Sequence, residues 1–366
     1  MQNNHGTKLA RGNLRGMSKD KKMSRWGSEV LSVPVVSECW ERTVQAESIV
    51  IVAHRSPDGD AVGSSLALHQ HLKAVGLQSR VVLPDGFPSF FNWMPDAEHI
   101  VLHDEQEAEA NDLIANADVL WCLDFNGPKR TGQMEEVIRS SHAFKIVVDH
   151  HLEPETFADV LLSDPVCGST CELIYGLIET WGQLESLSVD TAQCMYTGMM
   201  TDTGSFRFNS VTGNTHRILG HLLDCGVNQS WIHEQVFGSN RIAKIKLQGF
   251  AMSEKLMVWP EHRTALIALT QDEMKRFDCQ SGDTEGLVNQ ALALEGVEVA
   301  VFMKGSEEGH VKMSFRSKGD YSVRDLVAAH FNGGGHRNAA GGIMQNSSVA
   351  DAVDYFESLL KEWMPV

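Results

Sequence analysis

Three apolar runs in this chain each stop on an acid or a histidine, and that repetition restricts the fold more than any other feature. SIVIVAH ends at His54, VLWCLD at Asp124, and FKIVVDHH at Asp149, His150 and His151. Short unbroken runs of β-branched and aliphatic residues are the pattern of strands covered on both faces. SRVVLPDG is a fourth such run. Between and after them lie segments with helical spacing of apolar positions: LALHQHLKAVG, GSTCELIYGLIETWG and DTAQCMYTGMMTDTG. Strands alternating with helices predict an α/β fold with a doubly wound, mainly parallel sheet. In such sheets the ligand crevice lies beyond the carboxyl ends of the strands, which is where the acids and histidines fall.

A chain of 366 residues suggests two domains. Residues 1–28 form a basic, apolar-poor leader that is expected to be disordered, with Met17 and Met23 as alternative starts. A first domain is expected over 29–225, opening with a helix-like stretch through about 28–46. A helical connector follows over 226–258. A smaller α/β domain is expected over 259–366, with strands RTALIALT, VEVAVFMKG and HVKMSFRSKG, a loop FNGGGHRNAAGG and a closing amphipathic helix VADAVDYFESLLKEW. The acidic run at 104–112 reads as a solvated helix face.

Charge narrows the partners. The chain carries a net −17, yet residues 1–28 hold seven Lys/Arg against one acid, leaving 24 bases against 47 acids in the remainder. So acidic a body repels a long polyanion, because duplex binding rests on many Lys/Arg contacts to phosphate. A small phosphorylated ligand still binds where local cations outweigh the global field. No apolar run approaches the roughly 18–20 residues that cross a bilayer, so no membrane association is expected. The N-terminus lacks the apolar core of a secretion signal. Seven scattered cysteines argue for buried thiols in a reducing cytoplasm. Cys167 and Cys171 have no second pair at zinc spacing.

His54, Asp58 and Asp60 sit together in AHRSPDGDAVG, and Asp202 in GMMTDTGSF. Taken singly, each of these residues, like Asp124, passes for a turn or helix cap. Taken together they are harder to explain, because several strands of one sheet deliver them to the same edge. Like charges about 4 Å apart repel by about 1–4 kcal/mol per pair, so Asp58, Asp60, Asp124 and Asp202 can share a crevice only with cations between them. Mixed Asp and His ligands without Cys suit Mn²⁺, Co²⁺, Fe²⁺ or Zn²⁺ better than Ca²⁺ or Mg²⁺. Two such ions about 3.5–4 Å apart are an apparatus for in-line attack on phosphorus. The residues alone therefore predict a binuclear metal hydrolase.

The order AHRSPDGDAVGSS, CLDFN, VVDHH, MTDTGSF resembles the DHH phosphoesterases, and GGGHRNAAGG preceded by KMSFRSKG resembles their type 1 DHH-associated domain. The resemblance covers about residues 30–360. In size and domain order the chain is similar to the bifunctional oligoribonuclease and phosphoadenosine-phosphate phosphatase branch, the nanoRNases. The resemblance implies one metal held by His54, Asp58 and Asp124, and a second held by Asp60, Asp124, His150 and Asp202, with Asp124 bridging. It implies two divalent ions, Mn²⁺ first among them. His151 would contact the scissile phosphate and Asp149 would orient its neighbours. The implied substrates are short 5′-phosphorylated oligonucleotides such as pApA, cleaved to mononucleotides, and nucleoside bisphosphates such as 3′-phosphoadenosine 5′-phosphate, cleaved to AMP.

In the second domain, the glycines Gly333, Gly334 and Gly335 allow backbone amides close to a phosphate, with His336 and Arg337 adding positive charge. Arg316 offers a planar fork beside Ser314. These residues, Ser314, Arg316, Gly334, Gly335, His336 and Arg337, are the expected substrate contacts, and a site spread over two domains would measure a short ligand. The rival readings are an exopolyphosphatase or pyrophosphatase, a RecJ-type single-strand exonuclease, and a non-catalytic nucleotide-binding regulatory protein. A homodimer is compatible with the sequence. His69 and His71 are expected to be solvated or capping groups. The tryptophans Trp93, Trp121, Trp181 and Trp231 are expected to pack cores.

Overall fold

The structure is a computed structural model that describes residues 29–238, 240–280 and 282–363, so the basic leader lies outside the described residues. It divides into two compact units, one ending at Gly238 and the other comprising the remainder. That division falls inside the 226–258 stretch.

In the first unit the apolar runs become strands because their side chains find cover on both sides. Helix α1 (Val33–Gln45) leads into β1 (Ile49–Val52), whose four residues are all buried. Then come α2 (Gly59–Ala74), β2 (Arg80–Leu83), β3 (Val101–Leu102), α3 (Glu107–Ala115), β4 (Val119–Leu123), α4 (Glu135–Ser140), β5 (Phe144–Asp149) and β6 (Val160–Ser163). Helices α5 (Thr170–Thr180), α6 (Val189–Asp202), α7 (Gly213–Asp224) and α8 (Gln229–His233) complete the unit, ending on a short π-helical turn, Glu234–Gly238. The sheet is parallel throughout, in the order β3-β2-β1-β4-β5-β6. Along β1, Ile49 and Ile51 join a core with Leu66, Trp121, Ile174 and Tyr196, while Val50 and Val52 join one with Leu120, Phe125 and Ile138. Alternation to two cores makes the sheet the middle layer of three. The strand order reverses between β1 and β4, which puts the ends of those two strands at the topological switch point.

The second unit runs α9 (Ile242–Glu254), β7 (Leu256–Trp259), β8 (Thr264–Leu269), α10 (Gln271–Arg276), α11 (Leu287–Leu292), β9 (Val299–Gly305), β10 (Val311–Ser317), α12 (Val323–His330), β11 (Gly334–His336), β12 (Ala339–Met344) and α13 (Val349–Trp363). Its sheet has the order β11-β12-β10-β9-β8-β7, with β8 and β9 parallel and the other neighbours antiparallel. Among the described residues, no helix is long and apolar enough to cross a membrane.

Several local expectations are corrected. FNGGGHRNAAGG is not a loop: it forms the hairpin β11–β12, an assignment its glycines conceal because glycine is poor in strand propensity. β7 opens inside the stretch expected to be helical. β3 and β6 add two edge strands: β3 has only two residues, and β6 is covered unevenly, with Leu161 exposed, so it lacks the signature of a fully buried strand. His71 is neither solvated nor a cap; it is fully buried, its Nε2 is 2.7 Å from Gln183 Oε1, and it stacks on Trp181. His69 is half-buried between Ser79 and Asp96. Trp121 is fully buried as expected, whereas Trp231 is 38% exposed and rests edge-on against Trp93.

Helix α2 approaches α6 closely enough to exclude side chains at the contact. A Cβ on Gly63 would lie 2.8 Å from the Cys194 carbonyl oxygen, and one on Gly59 would lie 2.3 Å from Thr201 Oγ1. This crossing brings the start of α2 beside the end of α6, and with them Asp60 and Asp202.

Candidate metal centre

Strand β1 delivers His54 and strand β4 delivers Asp124 to the switch point. The His54 imidazole is held by Nδ1, which donates to the Arg55 carbonyl at 2.9 Å. Its other nitrogen, Nε2, is buried without a hydrogen bond and faces two acids, Asp124 Oδ2 at 3.4 Å and Asp58 Oδ1 at 3.8 Å. His150, at the end of β5, repeats the arrangement. Its Nδ1 donates to the Cys167 carbonyl at 3.2 Å, and its Nε2 lies 3.4 Å from Asp202 Oδ2, 3.5 Å from Asp124 Oδ1 and 3.8 Å from Asp60 Oδ2. A carbonyl on one ring nitrogen that directs the other inward is the usual support of a metal-binding imidazole.

These separations are longer than hydrogen bonds. The three of 3.4–3.5 Å match what two ligand atoms show when each sits about 2.1 Å from a shared ion, roughly 3.0–3.5 Å apart, and the two of 3.8 Å lie just beyond it. Three groups have ligand atoms within 4.8 Å of one another: His54, Asp58 and Asp124; Asp60, His150 and Asp202; and Asp124, His150 and His151. Asp124 is common to the first and third groups, with Oδ2 toward His54 and Oδ1 toward His150, and His150 is common to the second and third.

The electrostatics point the same way. Burial would lower the pKa of His54, but Asp124 and Asp58 outweigh it and push the imidazole up to about 10. His150 is likewise raised against its burial, by Asp124, Asp202 and Asp60. Burial, with Asp124 and Asp202 beside it, raises Asp60 well above the carboxylate range. Asp124 is driven well below it, because His150 and His54 outweigh its burial. Asp60 and the two imidazoles are thus driven toward their protonated forms so that the cluster can coexist. A divalent cation removes that need, and the oxygen and nitrogen donor set fits one.

The local backbone serves these positions. Asp58 caps α2, accepting from the amides of Asp60 and Ala61, and its side chain is 55% exposed, so this corner of the centre faces solvent. Asp124 has a left-handed backbone, φ 64°, with its amide donating to the Val148 carbonyl. That conformation costs about 1–2 kcal/mol for most residues and less for Asp, and such strain concentrates at functional sites. The fully buried Asp149 accepts from His151 Nδ1 at 2.7 Å, which keeps the proton on that nitrogen and the basic lone pair on Nε2.

Sequence reasoning missed a further set of residues. Thr170 and Cys171, at the start of α5, donate backbone amides to Asp60, and the Thr170 hydroxyl donates to Asp124. Gly198 of α6 leaves the space that Asp60 occupies. Ser-Thr before an apolar helix signals only a cap, and a helical glycine signals only close packing, so neither could be tied to the acids without coordinates.

In the second unit, Ser314 and Arg316 lie two apart on β10 and share one sheet face, with Arg316 donating to its neighbouring Phe315 carbonyl at 3.0 Å. Gly334, Gly335 and His336 form β11. Gly335 has φ 145°, and a Cβ there would lie 2.5 Å from the Ala339 carbonyl oxygen; one on Gly333 would lie 2.0 Å from that of Gly341. Packing therefore explains those two glycines. A Cβ on Gly334 meets nothing, so the hairpin itself does not require its bareness. Arg337 is exposed and paired with Asp320 at 3.0 Å.

Comparison with known proteins agrees with this architecture. Residues 48–199 match the DHH family, N-terminal domain, and residues 265–364 match the DHHA1 domain. Two relatives are named bifunctional oligoribonuclease and PAP phosphatase NrnA. The Thermus thermophilus protein is 29% identical over 86% of this chain and 89% of its own length. The Bacillus subtilis protein is 26% identical over 86% and 96%. The crystal structure of a Bacteroides fragilis protein described as exopolyphosphatase-related superposes with a TM-score of 0.86 at 38% identity, covering 91% of this chain and 97% of that one. With both domains matched in order and the DHH residues gathered at one switch point, this chain belongs to the DHH family of phosphoesterases and carries a DHHA1 domain in its second unit.

Proposed function

We propose that this protein is a two-metal hydrolase of very short nucleotides, cleaving linear dinucleotides such as pApA to mononucleotides and 3′-phosphoadenosine 5′-phosphate to AMP. The observation that carries the two-metal part is the division of Asp124, whose two oxygens face two separate ligand groups. The substrate part is supported by relatives named for oligoribonuclease and PAP phosphatase activity, matched over 86% of the chain. The net charge of −17 disfavours long nucleic acid.

His54, Asp58 and Asp124 would hold one ion, and Asp60, Asp124, His150 and Asp202 the other, with Mn²⁺ favoured by the mixed donors. Such ions supply Lewis-acid stabilisation of phosphoryl charge and a water nucleophile at neutral pH. Asp149 fixes the ring of His151, which binds the scissile phosphate through Nε2. In the second unit, Ser314, Arg316, Gly334, Gly335, His336 and Arg337 are the proposed substrate contacts. Seven unpaired cysteines support a reducing compartment, the cytoplasm.

The test is a Mn²⁺-supplemented chromatographic assay of wild type and Asp124→Ala on pApA, 3′-phosphoadenosine 5′-phosphate, a long single strand, pyrophosphate and polyphosphate. Mononucleotide from pApA and AMP from the bisphosphate, both lost in the variant, are expected. Turnover of polyphosphate alone would replace this reading with the one suggested by the description of the Bacteroides fragilis relative.

A further inference from the structure

The segment Cys167–Cys171 touches three of the candidate ligands. Ser169 caps α5 by accepting from the Glu172 amide, which leaves the next amides pointing out of the helix end. Thr170 N–H donates to Asp60 Oδ2 at 2.6 Å and Cys171 N–H to Asp60 Oδ1 at 3.0 Å. The Cys167 carbonyl accepts from His150 Nδ1. These contacts are made by the backbone and survive substitution. One contact depends on a side chain: Thr170 Oγ1 donates to Asp124 Oδ1 at 2.9 Å, with both residues buried.

We propose that the Thr170 hydroxyl is a positioning residue for the metal centre, setting the plane of the Asp124 carboxylate so that each oxygen serves a different ion. The inference rests on the two-metal reading. Rotation of a carboxylate about its last bond is soft, with a broad two-fold profile, so the strained backbone of Asp124 places the group without fixing its plane. A donor on Oδ1 fixes it. The hydroxyl is itself well held, since β-branched Thr170 has few rotamers at the start of α5. With the plane set, Oδ2 stays 3.4 Å from His54 Nε2 and Oδ1 stays 3.5 Å from His150 Nε2. A tilt that improves one side worsens the other.

Thr170→Val keeps the shape and removes the donor; Thr170→Ser keeps the donor and removes a methyl. The decisive measurement is Mn²⁺ titration followed by electron paramagnetic resonance, without substrate, alongside thermal unfolding of the metal-free proteins. Thr170→Val is expected to weaken Mn²⁺ binding by about 10–100-fold, the range for lost outer partners of metal ligands. Thr170→Ser is expected to stay within a few-fold of wild type, and both metal-free variants to remain folded at the assay temperature. Wild-type affinity in Thr170→Val, or equal weakening in Val and Ser, overturns the proposal. Should the Val protein unfold early without metal, the Thr170→Ala and Thr170→Ser pair makes the same comparison, and equal affinities overturn it. A wild type that takes up fewer than two Mn²⁺ ions marks instead the failure of the two-metal reading.

Discussion

Gly198→Ala joins helix packing directly to chemistry. Gly198 lies in α6, and a Cβ built there falls 2.3 Å from Cys171 Sγ, 2.8 Å from Asp60 Oδ1 and 3.2 Å from Asp60 Cα. Unbonded heavy atoms sit about 3.5–4.0 Å apart, so the overlap with sulfur exceeds 1 Å. Cys171 and Asp60 are buried, and the amide of Cys171 is bonded to Asp60, so neither has room to yield alone. Overpacking of this kind costs about 1–3 kcal/mol. Alanine returns about 1 kcal/mol of helix propensity, leaving a net loss of about 0–2 kcal/mol. Function should suffer more than stability, because a shift of about 1 Å in a catalytic constellation can cost of order 100-fold in rate. The assay pairs kcat on pApA in Mn²⁺ with Mn²⁺ affinity and urea unfolding. Gly220→Ala is the control: it is exposed on α7 with nothing near its Cβ, and should gain about 0.5–1 kcal/mol with wild-type activity. Wild-type kcat and Mn²⁺ affinity in Gly198→Ala would refute the reasoning.

Asp149→Ala should lower kcat by about 10–100-fold while two Mn²⁺ ions still bind, because His151 loses the acceptor that fixes its proton on Nδ1; an unchanged kcat removes Asp149 from the orienting role. His71 should make stability depend on pH. Burial outweighs its bond to Gln183 and holds its folded pKa below the unfolded value near 6.5. Its contribution is therefore full above about pH 6.5 and is lost as pH falls through that value toward the folded pKa. In urea unfolding, the stability gap between wild type and His71→Leu should narrow from about pH 7.5 to about pH 5.5, and a constant gap would contradict this assignment.

Much of the molecule is legible in the one-dimensional pattern, for a physical reason. The middle of a strand buried on both faces is apolar, so an acid or imidazole after such a run marks its end; His54 and Asp124 follow β1 and β4, and Asp149 is the last residue of β5. Alternation of such strands with helices then leaves few topologies, and the parallel sheet is among them. What the pattern omits is pairing across distance. Ser169-Thr170-Cys171 reads as a helix start and Gly198 as a packing glycine, yet Thr170 meets an acid 46 residues away and a Cβ on Gly198 would collide with one from another helix. The GGGH segment reads as a loop because its strand is held by backbone bonds to β12, with no side-chain pattern behind it. Local chemistry therefore determined the strands, the caps and the candidate ligands themselves. Tertiary structure alone decided how Asp124 divides its oxygens and which amides hold Asp60, because those contacts depend on where α2, α5 and α6 cross rather than on any spacing along the chain.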